Sequence, residues 1–387
     1  MQHEREILPL TGLRFVAALY VFLFHLHIRW PLAGQDFVAS VLSQGAVGMT
    51  IFFMLSGYIL AYRYDLAEVP LRDYALNRFA RIYPVYVVAG LLTLPWIGVS
   101  LGGVSARDAF LGFAQLCALV VANALLLQAW FPQMLGYWNI GASWSISTEA
   151  FFYLLFPLLL KHIRPLPIVQ LSGLIAIAYV LCVLPGFVSV AFRQPGPAIW
   201  YYYSMPIFRL AEFVLGICAY FVVGHAYRLL GARLNKMAYA MIAISIVYLG
   251  LFGPRLPYYV THNWLIVPAV FLTLLVLSRP DSIASRVMAS TPMVWGGKVS
   301  YCFYSFQAPI VLWLVSHHDA LVQALPLLAD NRLVLIVAGV ILIAISAVGY
   351  YFIEEPSRAA IRRRTRGSGL TGGPQPRASA LKVEEQV

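Results

Sequence analysis

Charged side chains are scarce in this 387-residue chain: Asp, Glu, Lys and Arg together make up 11% of it, against about 25% in soluble globular proteins. That is too little to cover a water-facing surface of this size, and hydrophobic residues reach 61%. Acidic residues are the rarer sign, 16 against 27 Lys and Arg, for a net charge of +11. Such an excess is compatible in principle with nucleic acid, but no long polar segment remains to form a soluble binding domain. Much of it sits in short loops and the C-terminal tail, where membrane topology accounts for it. No nucleic-acid partner is expected. Cysteine is rare too. Cys117, Cys182, Cys218 and Cys302 lie singly in apolar segments, with no C-x-x-C spacing and no His cluster nearby. They read as small buried hydrophobes and support neither a metal site nor a disulfide. No internal repeat is visible, which disfavours inverted-repeat transporters. A cleavable signal peptide is not expected either, because Arg14 and His25 interrupt the first apolar segment.

What the chain has in abundance is apolar runs, at 10–28, 46–63, 82–101, 109–130, 146–160, 166–184, 205–223, 237–252, 263–278, 298–316 and 332–353. Most approach the ~20 residues that a spanning helix needs. They are continuous rather than alternating, so helices are expected and a β-barrel is not. Aromatics at 14% suit a protein with interfacial rings. Basic residues cluster after alternate segments: Arg63, Arg72, Arg78 and Arg81; Lys161 and Arg164; Arg228, Arg233 and Lys236; Arg279 and Arg286; and Arg358 to Arg366. The loops between them hold few, and 131–145 holds none. The positive-inside rule then puts both termini in the cytoplasm and requires an even number of crossings. Three apolar segments lie between the inside clusters at 78–81 and 161–164, where only two can cross. One of 82–101, 109–130 and 146–160 is therefore expected to be irregular, in a region that holds Pro84, Pro95 and Pro157. The expected fold is all-α: a polytopic bundle of about ten transmembrane helices in a lipid bilayer. Residues 1–9 and 357–387 would be cytoplasmic, the latter a basic, disordered tail, with the membrane domain spanning 10–356.

An ionisable side chain at the centre of a spanning helix costs about 2.5–3.5 kcal/mol on insertion scales, so each one invites a functional question. Arg14 and His25 are separated by three helical turns plus about 20°, and so share a face roughly 16 Å apart along the axis. An anion-holding Arg and a general-base His lining opposite ends of one tunnel is one reading; a snorkelling Arg and a hydrogen-bonded His is the other. In the second segment, Gly48 suits close helix packing, while Ser56–Gly57 offers either packing or backbone exposed to a ligand. Arg78 and Arg81, at i and i+3, suit phosphates or ordinary inside charge. Trp144, Ser145 and Glu149 stand at an outer-facing edge, with Ser145, Glu149 and Tyr153 on one face. Such a carboxylate can orient a histidine or a sugar hydroxyl, or point into interfacial water. Arg209 and Glu212 read as an intrahelical ion pair. Glu354 and Glu355 read as partners of the basic tail.

Seven stretches, in order, resemble the acyltransferase-3 family of membrane enzymes: LTGLRFVAALYVFLFH, GMTIFFMLSGYIL, RFARIYP, SWSISTEAFFY, FRLAEFVLG, GKVSYCFYSFQAP and FIEEP. The resemblance covers residues 10 to about 356. It implies an O-acyltransferase that passes a short acyl group, usually acetyl, from cytoplasmic acyl-CoA to a hydroxyl of a surface glycan or glycoconjugate. The acyl-CoA is a donor substrate, and no permanently bound cofactor and no metal are implied. Family precedent points to Arg14, His25, Arg78, Arg81 and Glu149 as functionally important. With the charge reading this makes His25 and Glu149 the catalytic candidates and Arg14, Arg78 and Arg81 the acyl-CoA-binding ones; Trp144, Ser145, Tyr301 and Gln307 are the acceptor-binding or positioning candidates. A bacterial cytoplasmic membrane is the implied location. One departure stands out: where the family's S-Y-x-x-Y-x-x-H motif ends in histidine, this chain has Gln307, which orients a hydroxyl but takes no proton. Relatives also often carry a soluble hydrolase-like extension, so the transfer is expected to be completed either by the membrane domain alone or with a separate partner protein. The alternative from another class is a secondary transporter or exporter of a glycan intermediate.

Overall fold

The computed structural model describes residues 6–32, 34, 36–66, 69–100, 105–138, 143–192, 202–256 and 263–367. Among them every regular element is helical. The α-helices are α1 (Leu8–His27), α2 (Phe37–Leu42), α3 (Gly48–Tyr64), α4 (Leu71–Leu92), α5 (Ala106–Ala124), α6 (Ser143–Ile163) and α7 (Ile168–Ala191). They continue with α8 (Pro206–Leu230), α9 (Arg233–Phe252), α10 (Asn263–Leu277), α11 (Ile283–Met288), α12 (Thr291–Ala324), α13 (Asn331–Gly349) and α14 (Glu355–Gly367). Local sequence sets several boundaries. Pro9, Pro206 and Pro292 open helices in the first turn, where the missing N–H is no loss. Ser105 and Asp108 close a capping box at the start of α5.

Among the described residues, eight helices are long and apolar enough to cross a bilayer, and α10 is a shorter apolar helix. The chain is a multi-pass integral membrane protein. Of the three segments in doubt, α6 is among the eight and keeps Pro157 within its length, whereas α4 and α5 are not among them. α4 begins at Leu71, well before the apolar run at 82, and so carries Arg72, Arg78 and Arg81 within one helix. The basic segment after residue 356 continues as α14 to Gly367, and 368–387 lies outside the described residues.

Two glycine-mediated crossings build the centre. A Cβ on Gly57 of α3 would fall 2.1 Å from the Phe213 carbonyl oxygen of α8, and one on Gly216 would fall 1.9 Å from that of Met54. A Cβ on Gly12 of α1 would meet the Met288 carbonyl oxygen at 2.0 Å, and one on Gly297 of α12 would meet that of Thr11 at 1.9 Å. Backbone thus lies against backbone, which only small residues permit. Gly57 is a packing residue, as is Gly48, which faces Val21 and Ala17 of α1. The pairing of Thr11 with Gly297, Phe22 with Phe303 and His25 with Gln307 shows α1 and α12 running parallel. Aromatic rings lock α6 against α3 and α8: Phe152 stacks on Phe213 at 4.7 Å and meets Phe53 edge-on at 5.3 Å. Outward-facing apolar side chains such as Phe110, Phe187, Val247 and Val340 are exposed, as a lipid-facing perimeter requires. Cys182, Cys218 and Cys302 are buried, but Cys117 is exposed, contrary to expectation, because the outer flank of α5 carries it.

Gly57→Leu should push α3 from α8 and cost about 1–3 kcal/mol by overpacking. Gly173→Ala, where nothing lies within 4 Å of the added carbon, should be neutral or gain up to ~1 kcal/mol of helix propensity. Thermal unfolding in detergent reads both, and equal midpoints would refute the close crossing.

Candidate active site

Five helices converge on one cavity of about 740 Å³, its open mouth included. α1 contributes Arg14; α3 contributes Phe52, Ser56 and Ile59; α4 contributes Arg78 and Arg81. α6 adds Ser145, Glu149 and Tyr153, and α12 adds Ser300, Tyr301 and Tyr304. Residues 145, 149 and 153 lie one above another because α6 is a regular helix there, so one face serves the cavity along its length. Three guanidiniums against one carboxylate leave the lining net cationic.

The arginines are held differently. Arg81 pairs with Glu354, which lies in a π-helical turn (Tyr350–Glu354) at the end of α13 and is wholly buried. Its guanidinium carbon also lies 5.5 Å from the ring centre of Tyr301. Arg78 is held more by π faces, with Tyr64 at 5.6 Å and Tyr153 at 5.5 Å, and by a long hydrogen bond of 3.4 Å to the Tyr64 hydroxyl. Its Nε is buried without a partner among the described residues. Arg14, half-buried, makes no ion pair among them and faces the cavity. A guanidinium so placed is available to an anion. Glu149 accepts hydrogen bonds from the hydroxyls of Tyr153 and, at 3.3 Å, Ser56. Ser145 and Tyr304 share a 2.7 Å hydrogen bond farther along.

His25 stands apart from this cavity. Its Nδ1 lies 3.3 Å from Oε1 of Gln307, which is one helical turn beyond Tyr304 on α12. Gln307, at the position where the resemblance implies a histidine, therefore sits directly against His25. With the Gln307 amide in this orientation, Nδ1–H donates and Nε2 keeps its lone pair, while Gln307 Nε2 is buried with no partner among the described residues. Of His25 and Glu149, which the resemblance groups as catalytic, only Glu149 lines the cavity. Glu149 does not join His25 at one end but shares the cavity with Arg14, Arg78 and Arg81, because Glu149 is a turn deeper along α6 than Ser145. Trp144 lies outside the lining, packed on Tyr203 at 4.9 Å and Phe53 at 6.0 Å. The Tyr301 hydroxyl donates to the Ile82 carbonyl and so ties α12 to α4.

Sequence reasoning assigned Glu354 to the basic tail. It does approach Arg358 at 3.6 Å, but its main partner is Arg81. The signal available was its flank: Tyr351, Phe352 and Ile353 put Glu354 at the end of an apolar run rather than in the tail. A second buried cluster lies outside the cavity lining. Arg209 and Glu212 of α8 pair at 3.1 Å with side chains 3% and 1% exposed. Thr50 and Asn263 donate to Glu212, each at 3.3 Å, and Phe53 and Tyr203 cover Arg209, each at 5.2 Å. The expected intrahelical pair is thus present, and it joins α3, α8 and α10.

An acyltransferase domain profile of the acyltransferase-3 type matches residues 8–351. The chain belongs to the acyltransferase-3 family. It is 31% identical over 225 residues to acyltransferase MdmB of Streptomyces mycarofaciens, covering 54% of this chain and 55% of that protein. It is 27% identical to the putative peptidoglycan O-acetyltransferase YrhL of Bacillus subtilis, over 92% of this chain and 56% of YrhL. Against O-acetyltransferase OatA of Staphylococcus aureus the identity is 24%, over 92% of this chain and 58% of OatA. The chain thus spans a little over half the length of the curated relatives it matches. No solved structure matches it.

Glu212→Ala should strand the buried Arg209 and cost about 3–5 kcal/mol, whereas a double change of both residues to leucine should recover much of that loss. Thermal unfolding of the purified protein checks this, and a single variant as stable as the parent would show that the pair does not bind the helices together.

Proposed function

We propose that this chain transfers a short acyl group, acetyl foremost, from acyl-CoA to a hydroxyl of a glycan or glycoconjugate. The observation that carries the reading is the convergence of Arg14, Arg78 and Arg81 on one cavity, with the His25–Gln307 pair a turn beyond its Tyr304 end. Guanidiniums that retain free donors suit the phosphates of coenzyme A. The family relationship and the names of two of the relatives, O-acetyltransferases, support the transfer of an acyl group to oxygen.

In this reading His25 Nε2 takes the proton of the acceptor hydroxyl as the oxygen attacks the thioester carbonyl. The new C–O bond forms, the C–S bond breaks, and the proton passes to the departing sulfur to give free CoA thiol. Gln307 fixes the imidazole tautomer through Nδ1, the orienting role that a carbonyl or carboxylate plays beside other catalytic histidines. Glu149, bonded to Ser56 and Tyr153, sets the hydroxyl network of the cavity and balances part of its positive charge. In this reading residues 64–81 lie on the cytoplasmic side, where acyl-CoA is supplied, and 131–149 on the outer side, where a surface glycan is met; the distribution of basic loops supports it. The same reading takes the chain across the bacterial cytoplasmic membrane ten times, with both termini inside. The acceptor then never has to cross the bilayer.

The direct test is release of free CoA thiol from acetyl-CoA by membranes that contain the protein and its acceptor glycan; no release above that of control membranes would overturn the reading. His25→Ala should lower the rate by at least about a hundredfold, the usual contribution of a positioned base. Arg78→Ala should raise the KM for acyl-CoA about tenfold with little change in that for acceptor, as loss of donor binding requires. Near-normal rates for the histidine variant, or an unchanged donor KM for the arginine variant, would remove that residue from the mechanism. Cysteines placed at Gly136 and Asp73 should react with impermeant reagents from opposite sides of intact vesicles. Reaction of both from one side would refute the topology.

A further inference from the structure

We propose that Glu354 is a positioning residue of the donor site, acting through Arg81; the inference rests on the acyl-CoA reading above. Glu354 is a wholly buried carboxylate in the π-helical turn between α13 and α14, a place where an unpaired charge is costly. Three groups surround it. Arg81 pairs with Oε1, the Cys302 thiol donates to Oε2 at 3.5 Å, and Arg358 approaches at 3.6 Å. Only Arg81 also lines the cavity.

One nitrogen of the Arg81 guanidinium is thus held from behind, while Tyr301 covers the ring-like plane from another side. A guanidinium fixed at one edge presents its remaining donors in a set direction, and that direction is what a bidentate phosphate contact requires. Arg78 has no carboxylate partner among the described residues and is steered by tyrosine faces. The two arginines of one helix are therefore set by different means, and only Arg81 depends on the last transmembrane segment. The π-helical turn serves this arrangement. Widening the helix by one residue per turn at Tyr350–Glu354 alters which side chains face inward there. The same turn leads directly into α14, whose Arg358 closes the far side of the carboxylate.

The experiment is titration of the purified full-length protein with free CoA, read by thermal shift and by isothermal calorimetry, in the parent, Arg81→Ala, Glu354→Gln, Glu354→Ala and the double Arg81→Ala/Glu354→Ala. The inference expects Glu354→Ala to weaken CoA about tenfold and Glu354→Gln, which still accepts a hydrogen bond from Arg81, to weaken it less. It also expects the double variant to bind CoA no more weakly than Arg81→Ala alone, because Glu354 acts only through that side chain. Should Glu354→Ala fold poorly, the Glu354→Gln protein and the corresponding double variant carry the same comparison. Losses that add in the double variant would overturn the inference and leave the donor reading intact, as would unchanged CoA affinity in a folded Glu354 variant. Tighter CoA binding by Glu354→Gln would also overturn it, since Glu354 would then be a competitor of the donor. A parent protein that binds no CoA would overturn the donor reading and this role together.

Discussion

A guanidinium inside an apolar bundle needs a carboxylate, a π face or a water-accessible cavity, and that constraint organises this protein. Each of the buried arginines meets it in its own way. Arg209 has Glu212 and two aromatic rings. Arg81 has Glu354 and Tyr301. Arg78 rests between Tyr64 and Tyr153, and Arg14 faces the cavity. The gradation separates structure from chemistry. Where a pair is closed on itself, as at Arg209, the charges hold helices together. Where donors are left over, as at Nε of Arg78, or face the cavity, as at Arg14, the guanidinium is not used up in holding helices together.

The glycine crossings make this arrangement possible. Helices that meet backbone to backbone at Gly57 with Phe213 and at Gly297 with Thr11 leave no freedom to slide past one another. In a bilayer, where burial of apolar side chains gives helices no hydrophobic reason to associate, such close contact and the aromatic locking of Phe152 on Phe213 take over that role. α1, α3, α6 and α12 are thereby fixed relative to each other, and four of the five helices that line the cavity belong to this set. The fifth, α4, is joined by polar ties instead: Tyr301 to Ile82, Tyr74 to the Tyr153 carbonyl, and Arg81 to Glu354.

Gln307 stands where the family resemblance implies a histidine. A glutamine shares one property with a histidine, the ability to engage a neighbouring side chain, and lacks another, the ability to carry a proton. Its 3.3 Å contact with His25 uses the first. The pair sits between α1 and α12, two closely packed helices, so its geometry is set by the helix backbones rather than by a loop.

The sequence by itself determined the all-helical membrane class, because scarce charge and continuous apolar runs admit no other packing in a bilayer. It determined that Ser145, Glu149 and Tyr153 share a face and that Arg209 pairs with Glu212, since both follow from helical periodicity. Gly48 as a packing residue was legible for the same local reason. Only the tertiary structure decided that Glu149 keeps company with three arginines and not with His25, that Gln307 touches His25, and that Glu354 reaches across to Arg81. His25 and Gln307 are 282 residues apart in the chain, and Arg81 and Glu354 are 273 apart. Hydropathy and spacing fix which residues lie on one face of one helix. Which faces meet is decided by where small residues let backbones approach, a property of two helices at once that neither sequence segment carries alone.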